Sequence, residues 1–313
     1  MAFKIVWHCN PHVYSSHLRF NLWKRYEKKV GIRLLEKKPF LLPDVAVFQK
    51  KFDAGARELC RWYQKKGVLT VFDINVNYFE MWGKRVYNVD KESHESAIEM
   101  AKLSDIVSTT SPYLTEVVRA FNARSQTINE SVDVEHWNLI KEHHELNCVA
   151  LCAVAEKMDV LLLIKNELET WAAEKKGRYL LLIAEKKVEL PIQIEQKWKM
   201  WDLDSAPNDM CEADLFLAPR DMTMSYNQGH SLTKIAQSMH MHIPAIGSAI
   251  RTYVDSPCLI ANNPQEWSRH LSDMEDAAQR EYLGKISHEH IVKNHHPASN
   301  LKQFVDHLKQ NMN

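Results

Sequence analysis

Glycine is scarce in this chain, with eight residues in 313. That is few for a protein that holds phosphates on glycine-rich backbone, so Gly229 and Gly247 gain weight. Long apolar runs are absent too. The longest are strand-length pieces such as YLLLIA, far short of the roughly 20 residues that span a bilayer. The opening MAFKIVWHC has no signal-peptide apolar core and runs straight into a strand pattern, so a cytoplasmic protein is expected. The six cysteines (9, 60, 148, 152, 211 and 258) contain no Cys-x-x-Cys pair. They read as buried free thiols in a reducing setting rather than as disulfides or a zinc site. His143-His144, His295-His296 and His288-x-His290 lack a companion ligand set with closed-site spacing, so exposed histidines and no metal are expected. No internal repeat or low-complexity tract stands out.

Net charge is also lacking: 40 Lys and Arg balance 40 Asp and Glu. The balance is uneven along the chain. Residues 1–66 carry 15 basic against 5 acidic residues, and residues 67–145 carry 7 against 13. A basic stretch over residues 1–66 inside a neutral protein suits a local anionic partner, or else a lysine-rich solvated surface. Lys24, Arg25, Lys28 and Lys29 crowd the end of one helix, and Arg57, Arg61, Lys65 and Lys66 lie on another.

What is present is alternation. Short apolar strands are expected at 3–9, 44–48, 68–72, 105–108 and 126–128, with amphipathic helices between them, the pattern of a parallel α/β sheet. The first helix carries Leu18, Leu22, Trp23, Tyr26 and Val30 on one face and stops at Gly31. After a polar stretch at 134–146 the style repeats. Strands are expected at 148–154, 179–184, 214–218, 243–247 and 257–260, and helices at 231–241 and 264–283. The division expected is 1–142, 143–296 and a terminal helix over 297–313.

Residues 211–248 are the most telling. A buried strand feeds a polar loop, a helix opens near Ser231, and a second apolar strand follows. Free N–H groups and the helix dipole favour an anion at such a helix start, and Lys234 adds a full charge. Arg220 directly follows strand 214–218, at a carboxyl strand end, where open α/β sheets bind ligands. Tyr226, Gly229 and His230 line the loop by position. His8 and Asp73 end their strands, and Ser15, Ser16, His17 and Arg19 begin the first helix. Asp73 also suits a turn cap, Ser231 and Thr233 suit plain N-caps, and Trp198 and Trp201 suit packing.

The same segment resembles the donor half of nucleotide-sugar-dependent glycosyltransferases of the GT-B fold, of the retaining group 1 type found in bacteria and phages. The matching residues are Asp214, Pro219, Ser231, Lys234, Met239 and Pro244. Gln237 stands where that family has an acidic residue, Gly229 where it has another, and Met241-His242 where it has a glycine. PDVAVFQKKFD, GVLTVFDINVNYFE, KLSDIVSTTSPYLTEVV and TINESVDVEHWN resemble further segments in the family's order, with Asn77, Asn129 and Glu130 as departures.

The resemblance implies an α/β protein of two Rossmann-like domains, their parallel sheets facing across a cleft. The first would be the acceptor side and the second would hold the donor, a UDP-sugar first of all, without a metal. Donor contacts would come from Lys234, Arg220, Ser231, Thr233, Gly229, His230, Tyr226 and Gln237. Ser15, Ser16 and His17 would face the acceptor. His8, Arg19 and Asp73 would be the catalytic candidates. The activity implied is hexosyl or pentosyl transfer to an acceptor that is anionic or rides on DNA or a membrane-associated glycan. The alternatives are a DNA-modifying enzyme acting on hydroxymethylated bases and a non-catalytic binder of sugar nucleotides.

Overall fold

The computed structural model describes residues 3–36, 42–80 and 90–312, with the backbone but not the side chain of Lys234. The chain divides into two compact units: Met1–Asp133 with Met224–Ser231 and Asn294–Asn313, and Val134–Thr223 with Leu232–Lys293.

In the first unit the strands are β1 (Phe3–His8), β2 (Ile32–Glu36), β3 (Val45–Gln49), β4 (Leu69–Ile74), β5 (Ile106–Thr109) and β6 (Ser125–Thr127). They form one sheet in the order β2-β1-β3-β4-β5-β6. Every pairing is parallel. The central strands are apolar throughout because helices cover both faces: Val45–Gln49 is wholly buried. One face packs Trp7, Trp23, Val47 and the terminal helix Pro297–Gln310 through Leu301, Phe304 and Leu308. The other packs Phe48, Phe72 and the helix Ala54–Lys65 through Cys60 and Tyr63. Each such fully buried Leu or Phe stabilises by about 1.5–3 kcal/mol. Helix starts are capped as their sequences dictate. Asp53, Asp90 and Ser111 each accept an amide hydrogen three residues on.

In the second unit the strands are β7 (Cys148–Cys152), β8 (Tyr179–Ala184), β9 (Glu195–Met200), β10 (Leu215–Ala218), β11 (Ala245–Gly247) and β12 (Leu259–Ile260). Their order is β12-β11-β10-β7-β8-β9, again all parallel. Asp214 fastens β10 to β7. Its Oδ2 accepts from the amides of Asn147 and Cys148 at 3.0 and 2.9 Å, and Lys141 meets its Oδ1 at 3.0 Å.

Four departures from the sequence reading have physical causes. β2 and β9 are edge strands with exposed charges, so neither shows the apolar run that marks a central strand. The segment expected as one helix over 264–283 is two, Pro264–Asp273 and Ala277–Asn294, parted at the buried Met274. The first helix is broken into Tyr14–Ser16, a π-turn His17–Asn21, Leu22–Lys24 and Glu27–Val30, ending at Gly31 with φ 74°. The paired histidines are not simply exposed: ring nitrogens of His143, His288 and His295 bond the backbone oxygens of His242, His240 and Glu130.

The topology marks one place on each sheet. Connections leave in opposite directions from β1 and β3 in the first, and from β7 and β10 in the second. A crevice opens at the carboxyl ends of such strand pairs, and ligands of open α/β sheets lie there.

Candidate functional site

In the second unit β10 ends at Ala218 and is followed by Pro219 and Arg220. Arg220 is 6% exposed. Its amide donates to Ser248 Oγ at 2.9 Å, and its Nη2 donates to Tyr253 Oη at 2.9 Å. Its Nε has no partner, and among the described residues it forms no ion pair. β7 ends at Cys152, and the 3-10 helix Ala155–Ile164 that follows brings Lys157 to the same crevice. The Lys157 ammonium is pushed down to about 8, first by burial and then by repulsion from Arg220. The Glu185 side chain accepts from the amide of Ala155, close to Lys157 in the chain, at 3.0 Å. A buried Arg220, without an ion pair among the described residues, and a partly buried Lys157 therefore repel each other at a switch point. Such an arrangement favours an anion.

Lys157 was missing from the sequence reading. Its signal is modest: a lysine within one short turn of a buried strand's carboxyl end. Of the expected donor contacts, only Arg220 joins it here. The Lys234 side chain lies outside the described residues. Thr233 opens and Gln237 lies within the helix Thr233–His240, where Gln237 is buried. The remaining four, Tyr226, Gly229, His230 and Ser231, belong to the first unit. There Ser111 Oγ donates to the Gly229 carbonyl at 2.8 Å, and a Cβ on Gly229 would come within 3.3 Å of the Asn77 Cβ. Tyr226 packs edge-on to His230, with centroids 4.6 Å apart. Ser231 does not cap the helix; the N-cap is Leu232, with no side-chain bond. Its hydroxyl donates instead to Glu130, whose other oxygen takes Asn75 Nδ2 at 2.9 Å. The buried Glu130 carboxylate takes that hydroxyl in place of a helix amide.

The first unit's crevice holds a cavity of about 420 Å³ lined by His8, Cys9, Phe48, Lys51, Asp53 and Leu59 among others. His8 stacks on Phe48 with centroids 4.9 Å apart and planes at 12°. Gln49 braces the edge: its Nε2 donates to the Ser15 carbonyl and its Oε1 accepts from Trp7 Nε1, both at 2.9 Å. Ser16 meets the Cys9 thiol, and His17 stacks on Tyr14 at 5.8 Å.

Arg19 and Asp73, expected as catalytic candidates, meet each other and the backbone here. Both are 1% exposed and face each other at 3.7 Å. Arg19 Nη2 donates to the carbonyls of Ile128 and Thr109 at 2.6 and 3.5 Å and Nη1 to that of Asn129 at 3.4 Å; its Nε has no partner, and the guanidinium lies over Trp23. It ties the ends of β5 and β6 together. Burial pushes the Asp73 carboxyl up, against the pull of Arg19.

Among the described residues no group of three His, Cys, Asp or Glu could hold a metal ion. One Asp-x-Asp, Asp202 to Asp204, follows β9. Its Asp202 Oδ1 is occupied by the amides of Asp204 and Ser205 at 3.0 and 3.2 Å, the geometry of a turn. Trp201 stacks on Trp137 at 6.4 Å, as packing. No helix among the described residues is long and apolar enough to cross a membrane.

No protein-family model matches the chain, and no curated protein does. Solved structures do. A glycosyltransferase from Rickettsia africae has a TM-score of 0.67 at 12% identity, covering 99% of both chains. An alpha-glucosyltransferase in complex with UDP and a 13-mer DNA containing an HMU base has a TM-score of 0.66 at 8% identity, covering 99% of this chain and 100% of that one. TarM has a TM-score of 0.66 at 13% identity; the chain spans about half its length, 54%. At these identities the likeness establishes the fold. The two six-stranded parallel sheets with flanking helices are the GT-B architecture.

Proposed function

We propose that this chain is a glycosyltransferase that moves a sugar from a nucleotide-sugar, a UDP-sugar first of all, to an acceptor hydroxyl. The observation that carries the reading is the pair Lys157 and Arg220 at the switch point of the second sheet. The leaving nucleoside diphosphate gains charge as the glycosidic bond breaks. Cations fixed in advance in a water-poor crevice stabilise that charge more in the transition state than in the bound donor. Lys234, Thr233 and Gln237 complete the donor side in this reading. UDP as the nucleotide is supported by the UDP held in similar structures. His8 and the cavity beside it hold the acceptor. In this account cationic side chains do the work that a metal does elsewhere, so turnover persists in EDTA.

A second reading makes the acceptor a hydroxymethylated base in DNA. It is favoured by the full-length likeness to the DNA-bound alpha-glucosyltransferase and by the basic first 66 residues. Reaching the base requires flipping it from the stack. Incubating the purified protein with UDP-, GDP- and ADP-sugars and measuring release of the nucleotide separates enzyme from binder. No release from any donor, with or without hydroxymethylated DNA, would overturn the activity. Loss of turnover in chelator, restored by magnesium or manganese, would overturn the metal-free account.

A further inference from the structure

We infer that Tyr253 is a positioning residue for Arg220, and that Gly247 is glycine to admit it. This rests on the anion site proposed above. Arg220 and Tyr253 come from different loops of the second unit, the one after β10 and the one after β11. The Tyr253 ring is fully buried, and its hydroxyl is the side-chain group that accepts from the Arg220 guanidinium. A carboxylate in that place would neutralise Arg220 and remove its attraction for a ligand. A phenol fixes the guanidinium's direction and leaves its charge unspent. Burial pushes the Tyr253 hydroxyl up from its ordinary range, so it remains a neutral phenol against the pull of Arg220.

The loop is shaped for this contact. Gly247 pairs with Ala218 across β11 and β10, one strand from the crevice. A Cβ there would lie 2.7 Å from Tyr253 Cδ2 and 3.2 Å from the Cys258 sulfur. The next residue, Ser248, holds the Arg220 main chain from both sides, accepting from its amide at 2.9 Å and donating to its carbonyl at 3.3 Å. Gly247, Ser248 and Tyr253 thus form one bracket that fixes both ends of Arg220.

The test is a double-mutant cycle on binding, read by calorimetry with UDP and with uridine. Tyr253→Phe removes only the hydroxyl. It is expected to weaken UDP about tenfold, within the range for a hydrogen bond to a charged group, while leaving uridine affinity unchanged. In an Arg220→Met background the same change is expected to do nothing further to UDP binding. Gly247→Ala, which displaces the ring, should reproduce the UDP-selective loss. Equal losses for UDP and uridine, or a full Tyr253→Phe effect in the Arg220→Met background, would show Tyr253 to be packing alone and overturn the inference. Tyr253→Phe binding UDP as wild type does would also overturn it. A wild-type protein that binds neither UDP nor inorganic pyrophosphate would instead overturn the anion site on which the inference rests.

Discussion

At the carboxyl edge of the first sheet, buried charges meet partners. Arg19 faces Asp73 and three backbone carbonyls, and Glu130 takes Ser231 and Asn75. At the same edge of the second sheet, Arg220 has a phenol, and Lys157 sits beside it with a depressed pKa. Both units use the same topology, yet one closes its electrostatics and the other leaves them open. A buried ion pair holds structure, whereas a buried cation without a counter-ion stores a demand for an anion. The crevice where charge is left unmatched is therefore the better place to look for a phosphate. The first unit then has room for a less charged ligand in the cavity beside His8.

The contrast breaks most visibly in stability. Arg19→Met strands Asp73 and several carbonyls, and is expected to cost about 3–5 kcal/mol in denaturant unfolding. Arg220→Met strands one phenol and removes an uncompensated charge, so its unfolding free energy should stay within about 1 kcal/mol of wild type. Equal losses from the two changes would erase the distinction.

A smaller effect lies in pH. Burial and Arg220 push the Lys157 ammonium down to about 8, so it is mostly charged below that pH and mostly neutral above it. A bound diphosphate favours the charged form. UDP affinity should hold near pH 7 and fall above pH 8, by at most about tenfold per unit for one proton. Lys157→Met should flatten that limb. A wild-type profile already flat between pH 7.5 and 9.5 would remove Lys157 from the site.

The smallest effect concerns the first unit's outer surface, where Lys28 and Lys29 are exposed beside a groove shared with Lys302 and Lys309. If the acceptor is DNA, log affinity falls linearly with log salt. The double change Lys28→Glu and Lys29→Glu then lowers the slope by about two while sparing donor hydrolysis. Transfer to a neutral sugar with no salt dependence would point to a soluble acceptor.

Much of this arrangement was legible in the sequence. Central strands such as Val45–Gln49 and Tyr179–Ala184 announce themselves because burial on both sides demands unbroken apolar residues. The two missed strands, Ile32–Glu36 and Glu195–Met200, lie at the edges of their sheets, where charges alternate and no such demand exists. Arg220 was legible from its place after a strand. Lys157 was not, because its partner lies far along the chain and only strand order brings the two together. Arg19 and Asp73 are the reverse case. A strand-end aspartate and a helix-start arginine look alike whether they meet a ligand or each other.

The most direct test is calorimetric titration of UDP and of uridine at pH 7 into wild type and into the variant carrying Lys157→Met and Arg220→Met. The account predicts that wild type binds UDP far more tightly than uridine. It also predicts that the double change brings UDP down to the uridine level, a loss of about 3 kcal/mol or more from two charge-assisted contacts. UDP binding the variant as tightly as wild type would contradict it.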